Sequence, residues 1–169
     1  QYQDSSGQSS CKSCAAGYYL NEFGSSSNVC KACPSGYHNS LQGQGICTGC
    51  GKGKYGSGSA KTSESSGCTS CPAGKYNDDT ATEDINGCKN CPAGRYSNLV
   101  GITAIEGCTA CLSGKYSTLT GQTDNFCQDC PSGFFQANSG QSSCKQCATG
   151  KASDAGQSQC DLCPAGKYQ

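Results

Sequence analysis

Eighteen cysteines stand in this chain as nine C-x-x-C pairs, beginning at Cys11, Cys30, Cys47, Cys68, Cys88, Cys108, Cys127, Cys144 and Cys160. Thiols at that spacing can bind zinc, exchange electrons as a dithiol, or cross-link the chain as disulfides. Two such pairs roughly 15–20 residues apart would make a four-cysteine zinc site. Nine pairs leave one over when grouped that way, and every interval carries the same internal pattern instead of alternating site with linker. Thioredoxin-like redox chemistry needs a βαβ setting, and none surrounds any pair. Cross-linking is the expected use. The favoured scheme joins each second cysteine to the next first one: Cys14–Cys30, Cys33–Cys47, Cys50–Cys68, Cys71–Cys88, Cys91–Cys108, Cys111–Cys127, Cys130–Cys144 and Cys147–Cys160. It leaves Cys11 and Cys163 unpaired in this window, for an inter-repeat or inter-chain bond. An interleaved pairing stays open on sequence alone.

The elements that must position these cysteines are short and repeated. Successive first cysteines lie between 16 and 21 residues apart, the signature of an array whose units stack on their neighbours. Three residues after each second cysteine comes glycine: Gly17, Gly36, Gly53, Gly74, Gly94, Gly114, Gly133, Gly150 and Gly166. All five prolines (Pro34, Pro72, Pro92, Pro131 and Pro164) directly follow a second cysteine, so Pro-x-Gly predicts a tight turn at one fixed place in each repeat. Two residues past that glycine stands an aromatic at Tyr19, Tyr55, Tyr76, Tyr96, Tyr116, Phe135 and Tyr168, with His38 and Ala152 as exceptions. A second glycine marks each loop: before Gln at Gly43, Gly140 and Gly156, six residues before cysteine at Gly24 and Gly121, and beside it at Gly67, Gly87 and Gly107. Each repeat therefore reads as a turn, a strand of two to four residues, a second turn and a return. Helix is not expected; Ile102–Glu106 is the nearest candidate and is too short.

Composition explains why sulfur is needed. Leu, Ile, Val and Phe supply only 16 of 169 residues, a level that ordinarily leaves a chain disordered. Closing a loop of about 15 residues by one disulfide restores on the order of 3 kcal/mol by restricting the unfolded chain. Such bonds place the protein in an oxidising compartment, outside the cell or facing its lumen. Twelve basic residues balance twelve acidic ones, which gives no drive toward nucleic acid, and no apolar run approaches the length of a membrane span. Both ends fall inside a repeat, so residues 1–169 are expected to form one continuous array cut from a longer protein or joined end to end with copies of itself.

The run Cys71-Pro72-Ala73-Gly74-Lys75-Tyr76, with Cys88 and Cys91 after it and equivalents at Cys91, Cys130 and Cys163, resembles the ephrin-type receptor-like cysteine-rich repeat. It is similar, more distantly, to the first loop of tumour-necrosis-factor-receptor cysteine-rich modules. The resemblance implies an extracellular, elongated stalk laddered by neighbour-to-neighbour disulfides. It implies no enzyme, cofactor or single ligand.

Other candidate sites give bland readings. His38 is the only histidine and has no catalytic companions, so hydrolytic chemistry is not expected. Asp78, Asp79, Glu83 and Asp84 cluster but lack the glycine-punctuated pattern of a calcium loop. Gly51-Lys52-Gly53-Lys54 is not a phosphate loop, because no Ser or Thr follows the lysine. Serine runs at Ser25–Ser27 and around Ser63–Ser66 stay solvated or carry O-linked glycans. The expectation is a small disulfide-rich fold, an elongated rod of about nine repeats of ~20 residues with short β-hairpins and almost no helix. It has no catalytic, cofactor or metal site. Its function is structural, a self-associating filament, appendage or coat; the alternative is the stalk of a surface receptor or adhesin.

Overall fold

The computed structural model describes residues 6–7 and 9–167. Tyr168, the last of the sequence's repeat aromatics, lies outside the described residues. Eight disulfides close eight loops, numbered here in chain order: Cys14–Cys30, Cys33–Cys47, Cys50–Cys68, Cys71–Cys88, Cys91–Cys108, Cys111–Cys127, Cys130–Cys144 and Cys147–Cys160. Cys11 and Cys163 carry no disulfide.

Every loop is one hairpin, and loop 5 shows how the sequence builds it. Pro92-Ala93-Gly94 turns the chain, with the Arg95 amide donating to the Pro92 carbonyl at 3.0 Å. Gly94 sits third in that turn at φ +80°, the left-handed value that glycine adopts without a Cβ penalty. Arg95–Tyr96 then forms a strand, and its antiparallel partner is Thr109–Ala110, the two residues between the next pair of cysteines. The Cys111 amide closes the ladder on the Gly94 carbonyl at 2.8 Å. The two x residues of C-x-x-C are thus the return strand, and the disulfide staples the base of the hairpin. The other sheets follow suit, each two-stranded and two or three residues long, from Tyr18–Tyr19 with Lys31–Ala32 to Lys151–Ala152 with Asp161–Leu162.

Among the described residues, helix is confined to single turns before the closing cysteine of the three longest loops. Loop 3 has an α-turn at Glu64–Gly67, capped by Ser63, whose side chain accepts from the Ser66 amide while the Ser66 hydroxyl accepts from the Ser63 amide. Loops 4 and 5 have 3-10 turns at Ile85–Gly87 and Ile105–Gly107. The second of these overlaps the segment that the sequence singled out, and it stops where the glycine gives way to the disulfide.

In loops 1 to 6 burial follows a period of three from the second cysteine. In loops 4 to 6 the buried triples are Cys71, Gly74, Asn77; Cys91, Gly94, Ser97; and Cys111, Gly114, Ser117. Among the described residues, Leu20 and Ile102 are the only large aliphatic side chains in the core; its other buried hydrophobic residues are all disulfide-bonded cysteines. The scarcity of apolar residues is met by substituting covalent closure for hydrophobic area.

The chain divides into two compact units, Gln1–Cys71 with Asn77–Lys89, and Pro72–Tyr76 with Asn90–Gln169. Inside each unit one loop joins the next by the same backbone contacts. In the first, the Gly17 amide donates to the Asn39 carbonyl and the Asn39 amide to the Lys61 carbonyl, at 2.8 and 2.9 Å. In the second, Gly94 donates to Ser117 at 2.7 Å and Ser97 to Gln122 at 2.9 Å. A third bond runs from the loop residue before that acceptor to a cysteine carbonyl, as in Gly121 to Cys91 and Ala60 to Cys33, both 2.8 Å.

That loop residue has positive φ throughout, which separates two glycine roles that the sequence merges. Gly43, Gly101, Gly121, Gly140 and Gly156 occupy the left-handed position in their loops, but loops 3 and 4 place Ala60 and Ala81 there, at φ +55° and +56°. Gly67, Gly87 and Gly107 do something else: a Cβ on each would run into the Lys61, Thr82 or Ile102 side chain of its own loop. An alanine in the left-handed region costs about 1–2 kcal/mol, partly offset by the ~0.4–1 kcal/mol that glycine loses in the unfolded chain. Ala81→Gly is therefore expected to stabilise the first unit by about 0.5 kcal/mol, read as a rise of roughly 2–4 °C in Tm.

Candidate functional site

The feature repeated most faithfully is the loop-to-loop junction, and its centre is a polar residue three positions after the turn glycine. Asn39, Asn77, Ser97, Ser117 and Gln136 hold that place, and all are buried. Ser153 is its equivalent in loop 8, half-buried. Leu20 and Gly56 stand there in loops 1 and 3.

A polar group buried at a junction must find partners, and these find them in backbone. The Asn77 side-chain amide donates to the Lys54 carbonyl at 2.8 Å and to the Thr82 hydroxyl at 2.7 Å, and its oxygen accepts from the Asp79 amide at 3.0 Å. Asn39 donates to the Tyr18 carbonyl at 2.9 Å. Gln136 donates to the Ser143 carbonyl at 2.7 Å and accepts from the Asn138 amide. The shorter serines keep part of the set: Ser97 and Ser117 accept from the amides of Leu99 and Leu119, and Ser153 donates to the Phe134 carbonyl. The side chains of Asn39, Asn77, Ser97, Ser117 and Gln136 thus tie their own turns, each accepting from the amide two residues on, and those of Asn39, Asn77 and Ser153 reach a carbonyl of the preceding loop. Asn77→Ala should strand the Lys54 carbonyl and the Asp79 amide, at about 1–3 kcal/mol per orphaned group. Asn77→Ser, which keeps the contact to residue 79, should cost about half as much in denaturant titration.

The residues singled out from sequence fall around this junction. The turn glycines Gly17, Gly36, Gly74, Gly94 and Gly114 face a backbone carbonyl two loops on, of Ala60, Ala81, Gly121, Gly140 and Gly156 respectively, too close for any Cβ. Gly53 has the same turn conformation and donates to the Asn77 carbonyl at 2.8 Å. Gly133, Gly150 and Gly166 share it too, but nothing lies within 4 Å of where their Cβ would stand. The aromatics Tyr19, Tyr55, Tyr76, Tyr96, Tyr116 and Phe135 are half-buried on the strand beside the junction. His38 takes that place in loop 2, bridging Lys61 in parallel fashion, and its Nδ1 is buried without a hydrogen-bond partner. Ala152 does so in loop 8, exposed.

The charged clusters are spent on local pairs. Lys89 reaches Asp78 and Asp79 at 2.5 and 3.0 Å, and Asp84 caps the 3-10 turn of loop 4 through the Asn86 amide. Hydrogen bonding from Lys89 holds the Asp78 carboxyl below its usual range, and the two aspartates raise the Lys89 ammonium above its own. Within Gly51–Lys54, Lys54 pairs with Glu64 at 2.9 Å, and that hydrogen bond lowers the Glu64 carboxyl. These pairs are exposed, so their contribution is screened by salt. Among the described residues no group of three or more His, Cys, Asp or Glu is placed to hold a metal ion. No helix among them is long and apolar enough to cross a membrane.

Residues 114–152 match the family model described as tyrosine-protein kinase ephrin type A/B receptor-like. The matched stretch runs from the turn glycine of loop 6 through loop 7 to the first strand of loop 8. That family is a cysteine-rich module of receptor or structural type; the kinase in its description refers to a different domain. No curated protein matches the chain.

Proposed function

We propose a structural role outside the cell for this array of cysteine-rich repeats, which is similar to the ephrin-receptor-like module over residues 114–152: the array forms or extends a filament, appendage or surface coat by end-to-end or lateral assembly. The eight disulfides and the module type point to an extracellular or cell-surface location. One observation carries the structural reading. The junction is made of backbone bonds repeated from loop to loop, with side chains buried there to satisfy it, so one loop can follow another without a specialised interface. Stacked units coupled only to near neighbours propagate by addition. Heterologous contacts that do not close give open fibres. O-linked glycans belong to the same proposal, on exposed serines such as Ser26 and Ser27, whereas the Ser63 and Ser66 hydroxyls are engaged in capping their turn.

The family match favours a second reading, the stalk of a receptor or adhesin whose recognition domain is separate. Negative-stain microscopy of native material distinguishes the two. Long unbranched fibres with a regular axial repeat support the structural role, and short monodisperse particles reject it in favour of the stalk.

A further inference from the structure

In six of the eight disulfides the second cysteine of a pair is buried while its partner, the first cysteine of the next pair, stays half-exposed: Cys30, Cys47, Cys68, Cys127, Cys144 and Cys160. The other two are sealed on both sides. Cys71 and Cys88 are 0 % and 3 % exposed, and Cys91 and Cys108 are both 0 % exposed. The difference lies in the loops. In loops 4 and 5 the 3-10 turn is followed at once by the closing cysteine, whose amide bonds back to Ile85 or Ile105 at 3.0 Å. Over the glycine next to that cysteine lies an apolar group, the Thr82 γ-methyl on Gly87 and Ile102 Cγ2 on Gly107. Ile102 is itself buried, at 8 % exposure. Loop 3 is as long, but its α-turn and the Lys61 stem over Gly67 leave Cys68 half-exposed.

We infer that the protein opens in two stages toward a thiol reductant, and that Cys71–Cys88 and Cys91–Cys108 are lidded bonds that survive the first stage. A reductant thiolate must reach one sulfur in line with the S–S bond. It can attack the half-exposed cysteine of the six open bonds, forming a mixed disulfide and expelling the buried partner as thiolate. The second thiol of a dithiol such as dithiothreitol then closes on the mixed disulfide. Two electrons pass to each protein bond, two protein thiols result, and the reductant becomes a cyclic disulfide. Neither sulfur of a lidded bond offers the first contact. Each compact unit thereby keeps one closed loop after its other bonds have opened, Cys71–Cys88 in the first and Cys91–Cys108 in the second.

The test is a time course of native protein in dithiothreitol at room temperature, quenched by acid, alkylated and mapped by peptide mass. Cys71–Cys88 and Cys91–Cys108 should be reduced at least ~10-fold more slowly than Cys33–Cys47 and Cys130–Cys144, because access sets the rate. Equal rates overturn the inference. Ile102→Ala should then speed reduction of Cys91–Cys108 while leaving Cys71–Cys88 slow, and Ile102→Val should restore most of the protection. If Ile102→Ala speeds all eight bonds alike, global unfolding governs the order and the lid is rejected.

Discussion

Complete reduction should abolish the fold, while a chelator should leave it untouched. With every bond opened, only 16 Leu, Ile, Val and Phe residues remain to offset an ordering cost of roughly 1.5 kcal/mol per residue. Most of those 16 do not help, since twelve are exposed, and Phe23, Leu41, Ile46, Leu99, Val100, Leu112, Phe126 and Leu162 are each more than half exposed. Each loop spans 13 to 18 residues between bonded cysteines, so each closure withholds about 3 kcal/mol of chain entropy from the unfolded state. The sheets cannot stand alone either. Two strands of two residues are far below what an isolated hairpin needs in water. Excess dithiol, taken past the second stage, is expected to collapse amide hydrogen-exchange protection at the Cys111 and Cys130 amides and to expand the chain in size-exclusion chromatography. Native material in a metal chelator should show neither change. Unfolding by chelator with bonds intact would mean that metal, not sulfur–sulfur bonding, holds the loops.

Some of this architecture is plain in the sequence and some is hidden, for physical reasons. Short hairpins with hardly any helix follow from a C-x-x-C spacing of about twenty residues, with a Pro-x-Gly turn at one end and no stretch long enough for a helical face. The buried polar residue does not announce itself. Position +3 from the turn glycine is filled by Asn, Ser or Gln, which read as solvent-facing, while the neighbouring tyrosine looks like the core. The structure reverses this: Tyr76 is half-buried and Asn77 is 0 % exposed. The backbone of the junction needs donors and acceptors, and the Asn77 side-chain amide supplies the one that the Lys54 carbonyl takes. A signal was present, because aligning the repeats on their glycines puts a small polar residue at that position in six of eight loops. The lids over Cys88 and Cys108 were less accessible, since Thr82 and Ile102 become covers only once the 3-10 turn has bent each loop back onto its closing glycine.

A paired substitution separates the two demands made on the turn glycine. Gly94→Ala and Gly133→Ala introduce the same methyl group at nearly the same backbone angle, φ +80° and +82°. Each therefore incurs the left-handed penalty of about 1–2 kcal/mol. At Gly133 that is the whole cost, because nothing lies within 4 Å of the new Cβ. At Gly94 the methyl would be driven into the Gly140 carbonyl, with the Gln141 carbonyl also inside contact distance. Relief requires loop 7 to withdraw, and that pulls on the Gly140 amide, bonded to the Cys111 carbonyl at 2.7 Å, and on the Gln141 carbonyl that accepts from Ser117 at 3.3 Å. Two weakened buried bonds add about 2–3 kcal/mol. Gly94→Ala should thus cost about 4 kcal/mol and Gly133→Ala about 1.5 kcal/mol in urea titration of the oxidised chain. Equal losses would show that only the turn conformation matters, and that the approach of one loop to the second after it contributes nothing to stability. A large gap would instead mean that Gly94, like Gly17, Gly36, Gly74 and Gly114, is fixed twice over, by its own hairpin and by a loop that the chain reaches some forty residues later.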